Sequence, residues 1–230
     1  MSRTPTPMEV LSHRVKELRE LHGWTATRLG AELQKAGLTW DRFTVASLES
    51  GKRQNVTLVE WLALARALSV PPLLLFIPLG HEDRVEITPG VQVHPDLALK
   101  WVVGEEQPMT SDRRVTGDAG FWLTAQIPLS LYRRFNAAQA AMGEAEQALF
   151  RAEYTGDAAR IQDAKAAGMA GLERLAAVLD DMADGEVRPP ALPGRWLGPI
   201  RELGLSKRPA DLPAEFEASQ DEGGSGGESR

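Results

Sequence analysis

The chain has 230 residues, a net charge of −6 and no cysteine. That length holds one large or two small domains, and the absence of cysteine excludes disulfides, thiolate zinc sites and cysteine nucleophiles while suiting a reducing compartment. MSRTPTPMEVLSHR lacks the apolar segment of a secretory signal, and the longest apolar run, VPPLLLFIPLG over 70–80, is too short and too proline-rich to span a bilayer, so a cytoplasmic chain with no membrane partner is expected.

In chain order, 8–23 places apolar residues at 11, 15, 18 and 21, one stripe of an amphipathic helix that Gly23 closes. A second helix begins at Thr25, turns Leu29 and Leu33 inward and ends near Gly37. A third follows in TWDRFTVASLESGKR, with Asp41 or Thr39 as its cap and Gly51 as its stop. Thr57 caps a fourth, TLVEWLALARALSV, predicted to bury Leu58, Trp61, Leu62, Ala65 and Leu68, and Pro71 opens a short fifth turn through Leu75. Residues 8–80 therefore read as a five-helix unit with its own core.

Residues 81–127 read as a small mixed α/β subdomain or linker. VEITPGVQVHP alternates around Pro-Gly as a hairpin does, HPDLALKWVVG holds one or two helical turns, and GFWLTAQIP over 120–128 reads as a strand or extended segment. From 128 to 186 a long helical hairpin is predicted. Its first helix carries a coiled-coil-like seam at Leu131, Phe135, Ala138, Met142, Ala145, Leu149 and Ala152. Thr155-Gly156-Asp157 breaks the pattern. A second seam is predicted through Ala158, Ile161, Lys165, Gly168, Leu172, Leu175, Leu179 and Met182. The two seams either bury each other within one chain or make a dimer. Residues 187–230, rich in proline and glycine, read as an extended and disordered tail. The fold class expected is mainly α.

Catalytic signatures are missing. The four histidines are scattered, no phosphate-cradling glycine motif occurs, and Asp180, Asp181 and Asp184 read as a solvated helix end rather than a metal cluster. No enzyme and no cofactor is expected.

Charge is unevenly spread. Residues 1–78 hold 10 Lys/Arg against 7 Asp/Glu, a net of +3, whereas 79–230 hold 16 against 25, a net of −9. A nucleic-acid partner is thus open to the front alone. The third helix has the division of labour such a partner requires. Val45 and Leu48 anchor it, Arg42, Phe43, Thr44 and Ser47 remain to meet base edges, and Gly51-Lys52-Arg53 end it beside a phosphate.

On RVKELRELHGWT, TVASLESGKR and TLVEWLALARALSV, residues 11–77 resemble a lambda-repressor-like (Cro/repressor, XRE-type) helix-turn-helix domain. The long turn with Trp40 is similar to that of a subset of such regulators from actinobacteria and their phages. The resemblance implies a sequence-specific transcriptional regulator, a repressor, that binds double-stranded DNA as a homodimer. It places Arg42, Phe43 and Ser47 toward bases and Thr44, Ser50 and Lys52 at phosphates, with Arg53 beside them. Phe43 either touches a thymine methyl or folds into the core. Glu49 pairs with Arg19 in a purely structural role. Two departures accompany it. Ala26 stands where a phosphate-binding glutamine is usual, leaving Thr25 and Arg28 to substitute. The Leu29–Thr44 spacing is about five residues longer than usual, a lengthening that costs the fold little. The alternative is a protein-interaction or anti-repressor module of the same fold.

Overall fold

Threonine and aspartate caps set the starts of the front helices. Thr6 opens α1 (Pro7–Leu21) through a capping box with Glu9. Thr25 caps α2 (Ala26–Lys35) and Asp41 caps α3 (Arg42–Glu49). Thr57 and Glu60 form a second capping box on α4 (Leu58–Ala67). Each cap satisfies N–H groups that no intrahelical carbonyl reaches, about 0.5–2 kcal/mol per cap. A single 3₁₀ turn, Pro72–Leu75, follows. This computed structural model describes residues 3–107 and 118–216 and divides into two units, Met1–Trp122 and Leu123–Arg230. The chain is mainly helical.

The first unit is built on Leu11, Val15, Leu29, Leu33, Trp40, Val45, Leu48, Leu64, Leu68 and Leu75, all buried in one cluster. Each fully buried leucine contributes about 1.5–3 kcal/mol. Gly30 lets α2 approach the start of α3: a Cβ there would lie 3.1 Å from the Asp41 carbonyl carbon. The expected inward set of α4 needs correction. Leu58 and Leu62 are exposed, Trp61 is half-buried against Phe76, and Ala63, Leu64, Ala65 and Leu68 face the core. The helix is apolar nearly all round, so its periodicity does not select a face. On α1, Leu21 is likewise exposed.

Residues after the 3₁₀ turn belong to this same unit. Antiparallel β1 (Val85–Thr88) and β2 (Val91–Val93) form the hairpin that alternation predicts, followed by α5 (Pro95–Val102). Val85, Val93 and Ala98 share a cluster with Val10 and Ile77, and the Glu86 N–H donates to the Pro5 carbonyl. Residues 81–107 are therefore layered on α1 rather than standing apart. The expected strand at 120–128 is a helix instead: α6 spans Ala119–Ala125, and the Asp118 carboxylate accepts from the N–H groups of Gly120 and Phe121. A helix cap outweighs the strand preference of Phe121 and Trp122. Residues 108–117 of the expected subdomain lie outside the described residues.

The second unit is an antiparallel pair, α7 (Ile127–Thr155) and α8 (Ala158–Asp184), turning through Gly156. On α7 the predicted seam is buried at Leu131, Phe135, Ala138, Met142, Ala145 and Ala152, while Leu149 is half-buried. On α8 the predicted register fails in the first half. Lys165 is exposed, and Ala164, Gly171, Leu175, Val178 and Met182 supply the buried stripe, with Leu172, Ala176 and Leu179 forming a second. Gly171 makes room for Met142, whose sulfur would sit 2.6 Å from a Cβ at that position. The stretch after 186, expected to be extended, is ordered as far as 216. Parallel β3 (Leu192–Pro193) and β4 (Glu215–Phe216) flank α9 (Gly194–Glu202), whose Trp196, Leu197 and Ile200 enter the core of α7 and α8. The Trp196 indole donates to Glu146 Oε1 at 2.6 Å, and Arg195 Nε donates to the same oxygen at 2.9 Å. The expected disorder of 217–230 lies outside the described residues.

The three aspartates near the end of α8 are each engaged separately. Asp180 accepts from Ser206 Oγ and the Lys207 N–H, Asp181 pairs with Arg134, and Asp184 with Arg208. Among the described residues no three His, Cys, Asp or Glu side chains gather to hold a metal, and no helix is long and apolar enough to cross a membrane.

Candidate nucleic-acid interface

The candidate surface is the outer side of α3. Asp41 fixes its start. One carboxylate oxygen accepts from the N–H groups of Phe43 (3.1 Å) and Thr44 (2.8 Å) and from the Thr44 hydroxyl (2.8 Å). The bond from the Thr44 N–H, then that from its hydroxyl, holds the Asp41 carboxyl below its ordinary value. Val45 and Leu48 are fully buried and fix the rotation of the helix on the core. What remains outward is Arg42, Phe43, Ala46 and Ser50, with Ser47 half-buried beside them. Arg42, Ala46 and Ser50 are spaced i, i+4, i+8, one stripe of a helix.

Phe43 is 66% exposed, so of its two expected positions it does not take the core. The Arg42 guanidinium lies 4.4 Å from its ring centre, a cation–π contact that holds the arginine against the helix.

Glu49 turns the opposite way. Arg19 Nε donates to Glu49 Oε1 at 2.6 Å and Arg19 Nη2 to Glu49 Oε2 at 2.9 Å, while Nη1 donates to the Trp24 carbonyl at 2.6 Å. This fork clamps α3 to α1 and to the start of α2. The hydrogen bond to Glu49 raises the Arg19 pKa against the opposing effect of burial.

At the far end, Gly51 turns the chain with φ +71 and the Arg53 N–H donates to the Ser47 carbonyl. Lys52 is exposed and makes no hydrogen bond or ion pair among the described residues.

Four of the expected contact residues are engaged inside the domain. Arg53 stacks over Trp40 with 4.6 Å to the ring centre, donates through Nε to the Asn55 carbonyl and through Nη2 to Glu60 Oε1 at 2.6 Å. The Thr25 hydroxyl accepts from the Arg28 N–H as the cap of α2, and Arg28 pairs with Glu32 at 2.8 Å. Thr44 donates its hydroxyl proton to Asp41. The expected set therefore separates into an outward group, Arg42, Phe43, Ser47, Ser50 and Lys52, and a group engaged by partners in the domain, Thr25, Thr44, Arg28 and Arg53, of which Thr25 and Arg28 are themselves exposed.

Two features were missed. Ala46 lies in the middle of the outward stripe, and only its spacing from Arg42 and Ser50 marks it. Trp40, expected only as part of the long turn, is buried. Its indole donates to Glu60 Oε1 at 2.9 Å and its carbonyl accepts from Gln34 Nε2 at 2.9 Å. The long turn is thereby tied to α2 and α4. Burial pushes the Glu60 carboxyl up, but bonds from the Thr57 N–H, Trp40 and Arg53 outweigh it and hold the group below its ordinary value.

Chemically, the outward face offers one guanidinium, one ammonium, two hydroxyls and a flat apolar area of ring and methyl. No family model, curated protein or solved structure matches the chain.

Proposed function

We propose that this chain is a sequence-specific regulator of transcription, a repressor, that lays α3 in the major groove of double-stranded DNA. On this reading 8–80 is a lambda-repressor-like domain acting in the cytoplasm, the α7–α8 unit joins two copies, and the chain is not an enzyme. One observation carries the proposal. α3 is locked on its inner side by Val45, Leu48 and the Arg19–Glu49 fork, while its outer side chains make only local contacts within the helix, Arg42 on Phe43 and the Ser50 hydroxyl to the Ser47 carbonyl. A stiffly held helix with an unoccupied, mixed polar and apolar face is what reading base edges needs. Arg42 suits a guanine, donating to O6 and N7, a contact of about 1–3 kcal/mol in discrimination. Phe43 and Ala46 suit thymine methyls, and Ser50 and Lys52 suit phosphates.

The test is a mobility-shift titration against the DNA flanking the gene, at two salt concentrations. Tight binding to one segment, weakening steeply with salt, is expected. Failure to find a preferred segment anywhere in that DNA sinks the reading. The second reading, a protein-binding module of the same fold, is favoured by the internal pairing of Arg28 and Arg53 and by the exposed Leu58, Val59 and Leu62 on α4.

A further inference from the structure

We infer that two copies of this chain associate through the turn end of the α7–α8 hairpin, an inference that names the surface for the dimer proposed above. Phe150 and Tyr154, four residues apart on α7, are 72% and 88% exposed. They border a groove whose α8 side is lined by Arg160, Asp163, Ala164 and Ala167, the two alanines leaving an apolar floor that their side chains are too small to fill. Large rings beside a floor of methyl groups are complementary shapes placed side by side, so neither can satisfy the other within one chain.

Charge identifies the occupant. Arg151 and Asp163 both line this groove. Arg160 also lines it but is paired with Asp157 of its own chain, as Arg134 is with Asp181, Arg195 with Glu146, Arg201 with Glu215 and Arg208 with Asp184, while Arg174 reaches the Ala170 carbonyl. Arg151 instead reaches only the Gln147 amide oxygen, at 3.2 Å, and Asp163 has no hydrogen bond or ion pair among the described residues. With Arg160 neutralised by Asp157, the groove keeps one cation and one anion that have no ion-pair partner among the described residues, and such a groove is complementary to itself. A two-fold axis through it sets Arg151 of each copy against Asp163 of the other, and Phe150 and Tyr154 of each over the alanine floor of the other. That is the reciprocal pattern of an isologous interface. A ligand of single charge leaves one of the two groups unmatched.

The experiment is sedimentation equilibrium of the full chain across a concentration series. The wild type is compared with Phe150→Ser plus Tyr154→Ser, with Arg151→Asp, with Asp163→Arg, and with an equimolar mixture of the last two. The exposed aromatics leave the fold intact when replaced, which circular dichroism checks. The aromatic variant and each charge variant alone raise the dimer dissociation constant by at least about tenfold. The mixture restores it, because the two charge variants oppose themselves twice but match each other twice. Since pairing within one chain cannot be restored by mixing, this arm decides even where the aromatic variant unfolds. A wild type that stays monomeric throughout overturns the dimer and the surface together. A wild-type dimer unmoved by these substitutions, or charge variants that the mixture fails to restore, overturns the surface and leaves the dimer standing.

Discussion

The two units hold their cores shut with the same three groups under different shielding. In the first, Trp40 and Arg53 both donate to Glu60 while the guanidinium lies on the indole ring. In the second, Trp196 and Arg195 both donate to Glu146, again with the arginine near the ring. The pairs Arg53–Glu60 and Arg195–Glu146 differ in exposure: 25% and 14% for the side chains of the first, 56% and 40% for those of the second. Glu60 has a further task, since its other oxygen accepts from the Thr57 N–H at the start of α4. The same chemistry thus does two jobs. The shielded trio fixes a turn, a loop and a helix start at one point, and the open trio tacks α9 onto a helical pair already packed along its length. Water competes for the second trio and much less for the first.

Substitutions test that difference. The largest effect expected is from Trp40→Ala, about 3–5 kcal/mol in denaturant unfolding. Loss of amide-exchange protection in α2 and α3 accompanies it. Trp196→Ala falls at the lower end of that range, because seam contacts from α7 and α8 persist; equal costs break the comparison. Next is the shared carboxylate. Glu60→Gln leaves a guanidinium short of its charged partner in a shielded place and costs about 1.5–3 kcal/mol, whereas Glu146→Gln costs under about 1 kcal/mol in the same assay.

Acid sharpens the contrast. Burial pushes both Glu60 and Glu146 up, and the hydrogen bonds they accept, aided by the facing arginine charge, leave both below their ordinary value. A carboxyl depressed in the folded state adds stability above its unfolded value, about 4.3, and that stability is lost as pH falls through the folded value. The stability gap between the wild type and Glu60→Gln should therefore close as pH drops below about 4. A gap that persists in acid would mean that the glutamine is costly through its shape. The smallest stability effect is expected at Arg42, which rests on Phe43 with no carboxylate. Arg42→Ala changes stability by under about 0.5 kcal/mol. On the proposed function it weakens binding to the preferred DNA by about 1–3 kcal/mol. Loss of folding in that variant would make Arg42 a fourth structural arginine.

What was legible in the sequence follows from where each signal lies. The caps at Thr25, Asp41 and Thr57 and the seam of α7 are local patterns, readable because a cap or a heptad needs only its neighbours. The Arg19–Glu49 fork was readable from the resemblance alone, as thirty residues of sequence separate its members. The anchoring of Arg53 was not: it depends on Trp40 and Glu60 converging from two other segments, and a basic pair after a glycine looks the same whether or not such partners wait for it. α8 misled because alanine and glycine occur on every side of it, so composition offers two registers and the packing of Met142 against Gly171 selects one. α9 was hidden by its prolines, although Trp196, Leu197 and Ile200 carry a helical spacing.

Gly30 has a consequence that reaches beyond packing. The gap between α2 and α3 is set there by bare backbone, with no side chain to yield. The position therefore works as a shim of adjustable thickness. One methyl inserted by Gly30→Ala presses on the backbone at Asp41, which must give way by a few tenths of an ångström at the cap that starts α3, against the hold of Val45, Leu48 and the Arg19–Glu49 fork. The start of the outer face of α3 is thus sensitive to a buried position behind it.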